Sequence, residues 1–91
     1  MIDYSDEKDE IIRATRGVWF EDVIDTIAEG RLLWVEKNQH RSHQHNLVVL
    51  IQEYVYICPY VETDDGMFLK TLYPSRKATK IYLQSLSKWQ K

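Results

Sequence analysis

Three cations bracket a strand-to-helix junction: Lys70 lies within the run Phe68 to Tyr73, and Arg76 and Lys77 follow Pro74-Ser75. Pro74 ends the strand, and the Ser75 side-chain oxygen can cap the helix that follows. Arg76 and Lys77 then occupy the first helical positions, where the macrodipole disfavours cations by about 0.3–1 kcal/mol each. A bound phosphate would offset that cost, because helix-start N–H groups and two cations converging on one point form an anion site. The plain alternative is a pair of solvated side chains screened by salt.

A second group lies in the polar segment Lys37 to Asn46, which holds His40, Arg41, His43 and His45. Three histidines invite a metal, but the segment lacks cysteine or acidic co-ligands and no rigid face holds side chains at this spacing. No structural metal is expected. Imidazole titrates near neutral pH, so RNA contact or proton transfer suits these residues better, with His40 and Arg41 as the RNA-binding candidates. Tyr54, Tyr56 and Tyr60 alternate along one strand and could stack bases, although cross-strand aromatic packing also explains such a ladder. Cys58 on the same face reads as a small buried hydrophobe, since no activating neighbour accompanies it.

The 91 residues, 44% hydrophobic and 29% charged, fit a single domain over 1–91. One cysteine excludes an internal disulfide, and without an apolar leader or spanning run the expectation is a soluble cytoplasmic protein with no membrane association. The net charge of −2 hides a segregation: residues 1–29 carry nine acids against three bases, whereas residues 70–91 carry six bases and no acid. Such a field steers a polyanion to one side, unless the two elements lie together and neutralise each other.

Periodicity gives the elements. Ser5 with Asp6 and Glu7 opens a first helix that stops at Gly17; Phe20, Val23, Ile24 and Ile27 mark an amphipathic second helix ended by Gly30. Strands are expected over 31–36, 47–51, 54–61 and 67–73, with turns at Gln52-Glu53 and Asp65-Gly66. Alternation in the third strand separates Tyr54, Tyr56, Cys58 and Tyr60 from Val55, Ile57 and Val61. If the aliphatic face meets the helices, the tyrosines line an open face. Pro59 lacks a ladder donor and implies a bulge or an unpaired edge. The fold class is α+β: two N-terminal helices, a four-stranded mainly antiparallel sheet and a C-terminal helix.

The segments Tyr4-Ser5-Asp6-Glu7-Lys8, Arg16-Gly17-Val18-Trp19-Phe20-Glu21-Asp22-Val23, Tyr54-Val55-Tyr56, Phe68-Leu69-Lys70-Thr71 and Pro74-Ser75-Arg76-Lys77-Ala78-Thr79-Lys80 together resemble BrnT-type toxins of bacterial toxin-antitoxin operons, members of the RelE-like ribonuclease superfamily. The likeness covers most of residues 3–83, and Ser75-Arg76-Lys77-Ala78 after the strand end is its most specific piece. It implies a RelE/BrnT-like toxin domain, a ribonuclease that inhibits translation without metal or cofactor, and a small DNA-binding antitoxin of ribbon-helix-helix or related type. Cleavage by the RNA's own 2′-hydroxyl needs a cationic clamp on the pentavalent phosphate and groups that move one proton. Lys70 and Arg76 match the family's basic positions, with Lys77 a third catalytic candidate; Arg41, His40, Tyr56 and Lys80 are the RNA-binding candidates. Three features depart from the family: Trp19 stands where relatives place a capping Ser, no acidic residue follows Ala78, and the histidine loop has no counterpart, so that His40 and Arg41 are candidates on their chemistry alone. No general base is therefore assigned. The same fold without its acid-base pair would be a non-catalytic module that binds protein or RNA.

Overall fold

The computed structural model describes residues 1–89; Gln90 and Lys91, the latter one of the six bases above, lie outside the described residues. The chain runs β1 (Ile2–Tyr4), α1 (Asp6–Arg16), α2 (Phe20–Ala28), β2 (Leu32–Lys37), β3 (His45–Ile51), β4 (Tyr54–Thr63), β5 (Gly66–Leu69), β6 (Tyr73–Pro74) and α3 (Arg76–Trp89). Among the described residues the class is α+β with three helices, as expected. The sheet, however, is mixed and six-stranded rather than four-stranded, in the order β1-β5-β4-β3-β2 with β6 also on β4. One added strand is β1, which pairs in parallel with β5; three residues are too few for alternation to show. The other comes from division of the expected 67–73 strand into β5 and β6.

Local chemistry sets the helix ends. The Ser5 side chain accepts from the Lys8 amide, and Gly17 closes α1 in the left-handed conformation at φ 71°. Trp19 offers no side-chain oxygen to α2, so the chain finds two others: the Trp19 amide donates to Asp22 Oδ2 at 2.8 Å, and the Phe20 amide donates to Asp9 Oδ1 at 2.9 Å. Asp9 is buried on α1. It satisfies an orphan N–H of α2 from a neighbouring helix, which a search for local capping residues does not find.

Two apolar clusters divide the residues of the sheet. Leu47, Val49 and Ile51 of β3 join Ile12, Phe20 and Val23 of the first two helices, whereas Val48 and Leu50 join Val55, Ile57, Ala78 and Tyr82 beneath α3. Because neighbours on a strand face opposite ways, α1 and α2 cover one side and α3 the other. Tyr56, Cys58 and Tyr60 lie buried in the cluster under α1 and α2. The open tyrosine face is therefore corrected: the aliphatic side of β4 meets α3, and the tyrosine side is the main core. The sheet also separates the acidic helices from the basic one. Among the described residues the sole ion pair is the local Arg31–Glu29 contact, so the two charged elements do not neutralise each other.

The division of the last strand follows from Pro59. Tyr60 pairs with Leu69 and Ile57 pairs with Tyr73, so Cys58 and Pro59 stand opposite three residues, Lys70, Thr71 and Leu72. That is a bulge, at the position where Pro59 has no N–H to donate. The Pro59 carbonyl still accepts from the Lys70 amide at 2.8 Å. Beyond the bulge, the Ser75 amide donates to the Val55 carbonyl at 2.9 Å, and the Thr79 hydroxyl accepts from the Val55 amide at 3.0 Å while donating to the Ser75 carbonyl at 2.7 Å. A buried threonine on α3 thus takes the place of a sheet rung.

The hairpin between β4 and β5 fixes where β1 docks. Gly66 adopts φ +153°, and a Cβ there would lie 2.0 Å from the Met1 carbonyl oxygen, which accepts from the Met67 amide. Gly66→Ala is expected to displace β1 and to cost more than about 2 kcal/mol, a value typical of backbone strain combined with a lost contact. Urea unfolding checks this; a midpoint within error of the parent would show that β1 is dispensable.

Candidate nucleic-acid interface

The loop from Asn38 to Gln44 connects β2 and β3, and one side chain shapes it. Asn38 Oδ1 accepts from the His40 amide at 2.9 Å and from the Arg41 amide at 3.1 Å, while its Nδ2 donates to Asn46 Oδ1 at 3.1 Å. The Asn38 amide donates to the Gln44 carbonyl, and the Gln44 amide donates to the Arg41 carbonyl. An asparagine that satisfies successive backbone donors makes an Asx turn. It holds the polar loop in one shape.

The shape brings His40, Arg41 and His43 to a cavity of about 500 Å³ that Lys70, Gln44 and Pro59 also line. Lys70 reaches this cavity where the bulge begins: its amide is fixed on Pro59, and its Nζ lies 5.6 Å from the centre of the Phe68 ring. Pro59 and Phe68 alternate with core residues, so the cavity opens on the α3 side of the sheet. His45 is separate. It stacks on Tyr60 at 5.9 Å, and among the described residues no three metal-ligating side chains converge.

The three catalytic candidates do not meet. Lys70 lines the histidine cavity, Lys77 lines a second cavity with Trp34, Ile57 and Tyr73, and Arg76 lines a third with Tyr54, Lys80 and Leu83. Tyr54 and Pro59 mark the two ends; five residues of strand place them about 16 Å apart at roughly 3.3 Å per residue. The Ser75 side chain caps α3 by accepting from the Ala78 amide at 3.0 Å, yet the cations behind that cap point into different hollows. Of the RNA-binding candidates, His40 and Arg41 join Lys70, Lys80 joins Arg76, and Tyr56 leaves the surface because it is buried under α1 and α2.

Sequence reasoning grouped His43 with His40 and His45 but did not name it among the RNA-binding candidates, and it missed Asn38 as the loop's organiser. The signal for Asn38 was present in an Asn at the start of a polar loop. Nothing in the spacing tells which histidines face Lys70.

No protein-family model, curated protein or solved structure matches this chain. No helix among the described residues is long and apolar enough to cross a membrane.

Cys58 takes no part in the cavity. Burial pushes its thiol up to about 12 from 9.0. A thiol whose folded-state pKa is raised gives up its proton first in the unfolded chain, so stability falls as pH rises from about 9 toward 12. Tyr60 and Tyr73 are also pushed up from 10.0, chiefly by burial, and add to the fall above pH 10. Native protein at pH 8 is expected to resist a thiol reagent that labels it in urea, and Cys58→Ala is expected to flatten the decline in unfolding free energy between pH 9 and 10. Rapid native labelling would contradict this burial.

Proposed function

We propose that the chain is a metal-independent endoribonuclease, the toxin of a BrnT-type toxin-antitoxin pair within the RelE-like superfamily, which inhibits translation by cutting RNA. The observation that carries this reading is the convergence of His40, His43, Arg41 and Lys70 on one cavity. Two imidazoles and two basic side chains can supply the proton transfers and the charge stabilisation that transesterification at phosphorus needs. The basic helix on the same side of the sheet adds the field that draws RNA to it.

The reaction runs as an in-line displacement. One imidazole takes the proton of the 2′-hydroxyl, whose oxygen forms a bond to phosphorus; the bond from phosphorus to the 5′-oxygen breaks, and the other imidazole protonates that leaving oxygen. The products are a 2′,3′-cyclic phosphate and a 5′-hydroxyl. Arg41 and Lys70 hold the non-bridging oxygens, where negative charge grows in the transition state. The histidines supply the acid-base pair for which the acidic position after Ala78 offers no residue.

Arg76 and Lys80 then serve the antitoxin. They rim a largely apolar hollow with Tyr54 and Leu83, on a helix that also exposes Ile81 and Leu86. An acidic and apolar antitoxin segment fits that surface and would shield the RNA path. Its association is expected to slow as ionic strength rises.

Cleavage of a single-stranded RNA by the purified chain tests the proposal. Lys70→Ala, Arg41→Ala and His43→Ala are each expected to lower kcat by about two orders of magnitude, the scale of one lost transition-state donor or proton-transfer group, with little change in Tm because all three side chains are exposed. The parent's rate is expected to follow a bell-shaped pH profile, of which His40→Ala and His43→Ala each remove one limb. Chelator should change nothing, and Arg76→Ala should leave cleavage within a few fold. A parent that binds RNA and never cuts it is the non-catalytic module. Variants that cut like the parent would overturn the assignment of the cavity.

A further inference from the structure

The second cavity lies beside the histidine cavity, and hydrogen bonds join them. Asn46 accepts from Asn38, which shapes the histidine loop, and donates through Nδ2 to Glu36 Oε2 at 3.4 Å. Glu36 Oε1 accepts from Trp34 Nε1 at 2.9 Å. The Glu36 carboxylate is thereby held by a donor on each oxygen, and each oxygen keeps a free acceptor position. Around it the cavity, about 360 Å³, presents the Trp34 ring from β2, the Tyr73 ring from β6, and Lys37 and Lys77 at its margins. Tyr73 faces this way because the bulge reverses the alternation after Lys70. The phenol is pushed up by burial and by the Glu36 charge.

We infer that this cavity is a base-reading subsite for guanine in single-stranded RNA, with the base between Trp34 and Tyr73, its Watson–Crick edge on Glu36, and a flanking phosphate on Lys77. Two aromatic side chains in a mixed cavity suit an unstacked base, and a volume of this size admits one purine. The carboxylate sets the identity. It accepts only, and it accepts at two adjacent points. Guanine alone presents two adjacent donors, N1–H and the 2-amino group; adenine and cytosine each offer one beside an acceptor that a carboxylate repels, and uracil flanks its single N–H with two carbonyls. Glu36 is exposed but fixed by Trp34 and Asn46, so the edge is read without ordering a free side chain. Lys77 thereby acquires a role apart from Lys70. The inference rests on the ribonuclease reading only in placing the guanine next to the cleaved phosphate.

The test follows the Trp34 indole N–H resonance, assigned with Trp34→Phe, while the four nucleoside 5′-monophosphates are added one at a time. Guanosine monophosphate is expected to shift it and to bind at least tenfold more tightly than the other three; Glu36→Gln, which exchanges one acceptor for a donor, is expected to abolish that preference while the protein stays folded. Lys77→Ala should weaken all four alike. Lys70→Ala should leave guanine binding intact, so that a chain that binds guanosine monophosphate but cuts no RNA upholds this subsite while the ribonuclease reading fails. Conversely, a chain that cuts RNA without regard to guanine, or whose Trp34 signal is unmoved by any nucleotide at millimolar concentration, overturns the subsite and leaves the ribonuclease reading standing.

Discussion

The missing N–H of Pro59 is the constraint on which the rest of this structure turns. A proline within a six-stranded sheet removes one ladder bond, and the chain answers with one extra residue opposite it. Strict alternation would send Leu69 and Leu72 to opposite faces. With the bulge, both enter the core under α1 and α2, while Lys70 and Tyr73 both face α3. The apolar spacing and the placement of Lys70 and Tyr73 are therefore solved by the same irregularity. Beyond it Pro74 ends β6, and Ser75 and Thr79 fasten α3 to β4 through Val55.

This fastening decides how much of the sheet α3 leaves uncovered. The basic helix covers only part of its face, with Ala78 and Tyr82 against the sheet and Ile81, Leu83 and Leu86 left exposed. The uncovered sheet surface beyond it holds the histidine loop and Lys70. The acidic helices lie on the opposite face, so the sheet keeps the two charged regions apart. A fold that placed α3 beside α1 would have cancelled the two charges.

Much of this was legible in the sequence because its signals are local. Ser5 and Gly17 bound α1, the spacing of Phe20, Val23, Ile24 and Ile27 defines the buried face of α2, and Ser75 caps α3. What stayed hidden depends on pairing. The short β1 has no pattern of its own, and the face of Lys70 depended on a register that one residue reverses. The tyrosine ladder was legible as a face, but not as the core face, because alternation separates two sides without saying which one the helices take. Cations close in sequence, Lys70, Arg76 and Lys77, separated into three hollows, whereas His40 and Arg41, far from Lys70 along the chain, joined it.

The central claim is that RNA phosphate sits between the histidine loop and Lys70 and not at the start of α3. Backbone amide resonances recorded while a 2′-O-methyl RNA oligonucleotide is added test it directly, since that RNA binds without an attacking hydroxyl. The account expects the largest shifts at residues 38–44 and 70–71, saturating together, with residues 76–80 nearly still. Shifts centred on Arg76 to Lys80, with the histidine loop unmoved, would contradict it.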